Sequence, residues 1–136
     1  MLSITTLFAS LLGLLFIVLT MRVIKQRGIS KVSLSDGGDE MMLRRIRGQA
    51  NFIEYAPLFL ILFGLAEFNG THQTLLAVLA AAFFISRVMH GYALSFSAKS
   101  FVNRFYGTLI TGICFITICI INLLLALKVM PQVLLA

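Results

Sequence analysis

Four long apolar runs constrain this chain more than any other feature. Leu2–Met21 and Phe105–Leu127 contain no charged residue, Gly48–Ala66 contains only Glu54, and Thr74–Phe96 contains only Arg87. A helix rises about 1.5 Å per residue, so roughly 20 residues cross a hydrocarbon core of about 30 Å. All four runs reach that length, and together they take up most of the 136 residues. Composition closes the alternatives, with 60% hydrophobic and 12% charged residues. A soluble domain this small could not bury so much apolar surface, and disorder needs the opposite balance. The runs lack the strict alternation of a lipid-facing barrel strand. The expected fold is all-α: an integral membrane four-helix bundle, one domain over residues 1–136, with helices at about 2–25, 40–67, 73–97 and 103–130.

The first run is read as a retained helix. No Lys or Arg precedes it, and its basic residues follow it, the reverse of a signal peptide. Charge placement sets orientation. Arg22, Lys25, Arg27, Lys31, Arg44, Arg45 and Arg47 crowd the first connection, and Arg87, Lys99 and Arg104 border the third. The connection from Glu67 to Gln73 has no Lys or Arg, and the C-terminal tail has only Lys128 at its edge. The positive-inside rule puts the first and third connections in the cytoplasm and both termini on the non-cytoplasmic side. The chain is thus expected to be multi-pass, in the inner (cytoplasmic) membrane if bacterial. Topology accounts for most of the net charge of +6, so nucleic acid is not expected as a partner.

Several residues invite functional readings that simpler ones displace. Cys114 and Cys119 are five positions apart on one helix, which rotates them apart and makes them apolar fillers. His72 and His90 fall on opposite membrane sides, so no metal is expected. Asn69-Gly70-Thr71 matches a glycosylation sequon, but Asn-Gly in a tight connection is read as a turn.

The start of the second helix resists such treatment. It reads Arg44-Arg45-Ile46-Arg47-Gly48-Gln49-Ala50-Asn51-Phe52-Ile53-Glu54-Tyr55-Ala56-Pro57, after an Asp36-Gly37-Gly38-Asp39 turn and cap. At 3.6 residues per turn, Asn51 lies about 40° from Arg47, Arg44 about 60° on the same side, and Glu54 about 20° on the other. These four form a polar stripe that descends into an apolar helix. An ionised carboxylate facing lipid costs a few kcal/mol or more. Glu54 is therefore expected to face protein, with Arg47 or an arginine of another helix as partner. Pro57 frees the Ile53 carbonyl beside the stripe.

The third helix ends on Arg87, His90 and Tyr92, and Arg104 and Tyr106 open the fourth. At one membrane face the sequence collects Arg27, Arg44, Arg47, Arg87 and Arg104, with Asn51, Glu54, Tyr55 and Tyr92. The arginines exceed what one Glu neutralises. Two readings stay open from the charges alone: an ion-pair network that locks the bundle and touches lipid phosphates, or a pocket for a small anion bearing several carboxylates.

The stretch Arg47-x-Gln49-x-Asn51-x-x-Glu54-Tyr55-x-Pro57 resembles the signature of the MAPEG family, the membrane-associated proteins in eicosanoid and glutathione metabolism. Val23-Ile24-Lys25-Gln26-Arg27 looks like the end of that family's first helix, Arg87-x-x-His90-Gly91-Tyr92 like the end of its third, and Arg104 with Tyr106 like the start of its fourth. The Asp36-Gly37-Gly38 loop resembles the short bacterial members, related to microsomal glutathione transferase and leukotriene C4 synthase. The resemblance implies a homotrimer with glutathione as co-substrate in the cleft between subunits. It implies that Arg27, Arg47, Gln49, Asn51, Glu54, Tyr55 and Tyr92 bind glutathione, and that Arg104 activates the thiol, with Lys99 the rival position. Val88 and Gly28 stand where leukotriene C4 synthase has a tyrosine and a second arginine, so that enzyme's own reaction is not implied.

The chemistry agrees with the residues. A thiol ionises near pH ~8.5 and its thiolate is the nucleophile. A guanidinium beside the sulfur favours the thiolate and keeps its own proton. Arginines suit the two carboxylates of glutathione, and Glu54 suits its ammonium. The expected function is a glutathione-dependent membrane transferase or peroxidase acting on a lipophilic electrophile or hydroperoxide. A non-catalytic lipid-binding or scaffold member of the family is the alternative. A small transporter using Glu54 and Arg87 ranks below both, since the two halves show no inverted repeat.

Overall fold

A computed structural model describes residues 2–96 and 100–134, with side chains up to Lys128. It contains four helices: α1 Ser3–Ser30, α2 Glu40–Phe68, α3 Gln73–Ser95 and α4 Phe101–Leu134. All four are long and apolar enough to cross a membrane. α1 runs five residues past its expected end at 25, and α2 stays helical through Pro57. The cause of the longer α1 lies in the connection 31–39. The Asp39 carboxylate caps α2 through the Met41 and Met42 amides at 2.8 and 3.2 Å. Its other oxygen accepts from Gln26 Nε2 at 2.7 Å and from the Ser30 hydroxyl. One side chain thus ties the end of α1 to the start of α2. The turn itself uses Gly37 and Gly38 at φ of 60° and 79°, where a Cβ would be strained.

α2 and α3 form the central pair. Each touches the other and both outer helices, whereas α1 and α4 make no contact with one another among the described residues. The core between them is aromatic. Phe59 and Phe83 stack with centroids 3.8 Å apart, and Phe8, Phe63 and Phe115 pack around them. Towards the basic end, small residues replace the rings. A Cβ on Gly107 of α4 would stand 3.0 Å from the Ser86 carbonyl oxygen, and one on Gly48 of α2 would stand 3.2 Å from Leu94 Cβ. Lipid offers no hydrophobic drive between helices, so such close backbone approach is how they hold together there.

The opposite end is closed by Glu67. α1 has no side-chain cap of its own at Leu2. The Glu67 carboxylate on α2 accepts from the amides of Ile4 and Thr5 at 2.9 and 2.7 Å and from the Thr5 hydroxyl at 2.5 Å. It satisfies first-turn donors and places negative charge at the positive end of the helix dipole. The Asn69 amide donates to the Leu65 carbonyl at 2.8 Å, in keeping with its reading as a turn residue. Cys114 and Cys119 are free thiols, buried and half-buried.

Candidate functional site

The arginines of the basic end do not gather at one point. Four of them bind backbone carbonyls, two of these at the last turn of α3. Arg22 on α1 donates to the Ser95 carbonyl at the last turn of α3 at 2.7 Å, with its guanidinium 3.9 Å over the Phe96 ring. Arg44 on α2 donates to the Ala93 carbonyl of the same turn at 2.8 Å. Arg45 donates to the Arg22 carbonyl at 3.2 Å. Arg27 folds onto its own connection and donates to the carbonyls of Ser33 and Ser35 at 3.0 and 3.3 Å. The last carbonyls of a helix lack intrahelical partners and carry its negative dipole end, so cations collect there. Much of the charge excess is explained by this alone, with backbone oxygens standing in for acids.

What remains forms a cavity. Arg44, Arg47 and Asn51 from α2, His90 and Leu94 from α3, and Arg104 from α4 enclose about 310 Å³, with Leu43 at the rim. A second hollow of about 390 Å³ adjoins it, sharing Leu43, Arg44, Leu94 and Arg104 and adding Glu40, Ser100 and Phe101. The first cavity is walled by three arginines and no acid. Arg47 and Arg104 are exposed, and Asn51 is half-buried. Behind this wall, Arg87 is 2% exposed. Its Nη1 donates to Asn51 Oδ1 at 2.9 Å, its Nη2 bonds Thr111, and its guanidinium lies 5.4 Å from the Tyr55 ring centroid. Chemically the cavity is a donor-rich pocket at the membrane edge, suited to a small anion.

The profile of the MAPEG family matches residues 5–124, nearly the whole chain. This chain belongs to the MAPEG family. Inner membrane protein YecN of Escherichia coli strain K12 is 28% identical over 89 residues, covering 65% of this chain and 68% of that protein. YecN of a second Escherichia coli strain matches to the same extent. With four spanning helices, this MAPEG chain is a multi-pass integral membrane protein.

Within one MAPEG subunit the residues expected at the site divide. Arg47, Asn51 and Arg104 line the cavity. Arg27 lies on its own connection instead. Gln49 faces α1, donating to the Thr20 hydroxyl at 2.8 Å. Tyr55 packs edge-on to Phe115 at 5.8 Å, and Tyr92 stacks on Phe96 at 5.8 Å. Lys99 lies outside the described residues.

Glu54 stands apart from the rest of the stripe. Within one chain it is exposed and pairs with no described residue, so the expected arginine partner is not found there. The reason is rotational. Phe52, Ala56, Phe59 and Phe63 mark the buried face of α2. At 3.6 residues per turn, Glu54 lies about 170° from the middle of that face, while Arg44 and Asn51 sit on the flank towards α3 and α4. The stripe straddles the edge of the subunit, basic on one side and acidic on the other. Two wall residues, Arg44 and His90, were not assigned to the site from the sequence. The 60° offset of Arg44 was a usable signal, and so was the position of His90 one turn past Arg87 at the end of the third helix.

Proposed function

We propose that this protein is a glutathione-dependent membrane transferase or peroxidase whose site is completed by neighbouring copies of the chain, with a homotrimer as the assembly. The observation that carries this reading is the division of charge on α2. A pocket of Arg44, Arg47 and Arg104 has no acid, while Glu54 faces outward at the subunit surface. Glutathione carries two carboxylates and one ammonium, the complement of that division. An outward carboxylate within a spanning helix is costly against lipid. A ligand or a second subunit there removes the cost. The lack of contact between α1 and α4 among the described residues also favours sharing, since Arg27 and Arg104 of one chain are then too far apart to enclose one small ligand.

In this reading Arg47, Asn51, Glu54 and Tyr55 hold the tripeptide, with Arg27, Gln49 and Tyr92 contributed around it. Arg104 stands beside the sulfur and stabilises the thiolate. In transfer, the sulfur forms a bond to an electrophilic carbon and the leaving group departs with the bonding pair. In peroxidase turnover, the hydroperoxide becomes alcohol and water while two glutathiones are oxidised to the disulfide. The lipophilic partner enters from the bilayer. The basic end faces the cytoplasm, both termini lie outside, and the membrane is the inner membrane.

The test is calorimetric titration of detergent-purified protein with glutathione, followed by the thiolate absorbance of the complex. Glu54→Gln should weaken binding roughly ten- to hundredfold, the range of one hydrogen bond to a charged group, with the oligomer intact by native mass spectrometry. Lost folding with unchanged affinity in the surviving fraction would refute the role of Glu54. A lipid-binding scaffold is the second reading. An apolar cleft of about 300 Å³ between α1 and α3, lined by Leu7, Leu11, Phe84 and Ile85 among others, favours it.

A further inference from the structure

Arg87 is a buried cation that the proposed chemistry does not use. It is 2% exposed, and Thr111, its α4 partner, is 1% exposed. Thr111 gives its own proton to the Gly107 carbonyl at 2.7 Å and lies 2.9 Å from the Ser86 hydroxyl, so it meets Arg87 as an acceptor. Tyr55 and Phe83 lie against the guanidinium at 5.4 and 5.6 Å. The group is thus met from α2, α3 and α4 at once, with its two Nη atoms bonded and its Nε without a partner among the described residues.

That arrangement has a chemical consequence for Asn51. A guanidinium donates and cannot accept. The Asn51 amide must therefore turn its oxygen to Arg87, at 2.9 Å. Its nitrogen is then committed to the other side, where Asn51 forms part of the cavity wall. Among the described residues Nδ2 has no partner. A free asparagine could meet either an acceptor or a donor on a ligand; this one can only donate.

We infer that Arg87 is a positioning residue that locks Asn51 as a hydrogen-bond donor into the basic cavity, so that the cavity receives the carboxylate end of an anionic ligand and excludes its ammonium. The identity of the ligand rests on the glutathione reading; the lock does not. Every polar group of α2 and α4 on the cavity wall then points the same way chemically, and the ammonium is left to the Glu54 flank.

Three substitutions separate this from a purely structural role. Asn51→Asp gives Arg87 a counter-charge and turns a second carboxylate oxygen to the cavity. Its melting midpoint should be no lower than the parent's, and glutathione affinity should fall about tenfold or more, a change of ~1.4 kcal/mol per decade. Arg87→Leu removes a desolvated charge that has no acid partner among the described residues and leaves no buried group stranded, since Thr111 keeps its bonds to Gly107 and Ser86 and half-buried Asn51 reaches the cavity. It should keep the midpoint yet weaken glutathione, because the amide can flip. Arg87→Lys, a point charge without the fork, should lie between. Tighter glutathione binding by Asn51→Asp would put the ammonium at Asn51 and overturn the inference. Parent-like affinity in Arg87→Leu would overturn it too. Failure of the parent to bind glutathione would instead sink the proposed function. The midpoints then decide the lock alone: Asn51→Asp melting below the parent refutes it, and melting at or above the parent upholds it for another anion.

Discussion

Removing the carboxylate of Glu67 should loosen the start of α1 without touching the basic cavity at the other end of the bundle. Three hydrogen bonds converge on that carboxylate, from the Ile4 and Thr5 amides and the Thr5 hydroxyl, at 2.9, 2.7 and 2.5 Å. Bonds to a charged group contribute about 1.5–3 kcal/mol each, and charge at a helix N-terminus adds about 0.3–1 kcal/mol. Glu67 is only half-buried, so water recovers part of this at the membrane edge. Glu67→Ala should therefore lower local stability by about 3 kcal/mol, and Glu67→Gln by about 1–2 kcal/mol, because an amide oxygen still accepts. The assay is amide hydrogen exchange in detergent or nanodiscs. Exchange at Ile4 and Thr5 should rise roughly a hundredfold in Glu67→Ala, since ~1.4 kcal/mol corresponds to tenfold. Exchange in the last turn of α3 should not change. Unaltered exchange at Ile4 and Thr5, whatever happens to global stability, would refute the cap.

Two further outcomes follow from the same geometry. Arg104→Ala should leave glutathione affinity largely intact, raise the bound thiol's pKa and slow conjugation of a model aryl halide at neutral pH. The deficit should shrink as pH rises; if it does not, or if the variant is as active as the parent, Arg104 is not the thiol-activating group. Asp39 is held at about 2, below its ordinary 3.8, by the Ser30 hydroxyl first and the Gln26 amide next, both of which favour the charged carboxylate. A depressed carboxylate contributes stability above its unfolded value and loses it as pH falls through the folded one. The difference in melting midpoint between parent and Asp39→Asn should thus be constant above about pH 4 and shrink between pH 3.8 and about 2; a flat difference across that window would exclude the capping network as its source.

The spans were legible because burial in lipid demands unbroken apolar runs, and the polar stripe of α2 was legible because helix rotation is fixed by residue number. What each polar group touches was not. Arg22 and Arg44 find carbonyls at the last turn of α3, a match between helix ends that exists only after the helices are packed. Glu67 looked like the edge of a connection without Lys or Arg, yet it caps a helix more than sixty positions earlier. Glu54 lies on the stripe by rotation, but the sequence does not say whether its partner belongs to its own chain or to a neighbour. Rotation told which residues share a face; it did not tell that the middle of the buried face lies on the far side of α2.

Arg87 also has a consequence for the polar groups around it. Ser86, Thr111 and Asn51 make a small polar cluster about its guanidinium at the basic end of an otherwise aromatic bundle. At its centre is a permanent positive charge with no carboxylate partner among the described residues. Two like charges 4 Å apart repel by about 4 kcal/mol at an effective dielectric of 20, and more in drier surroundings. A second cation entering the cluster meets that barrier. The same guanidinium that orients an amide towards the cavity therefore also closes this buried polar cluster to any further positive charge.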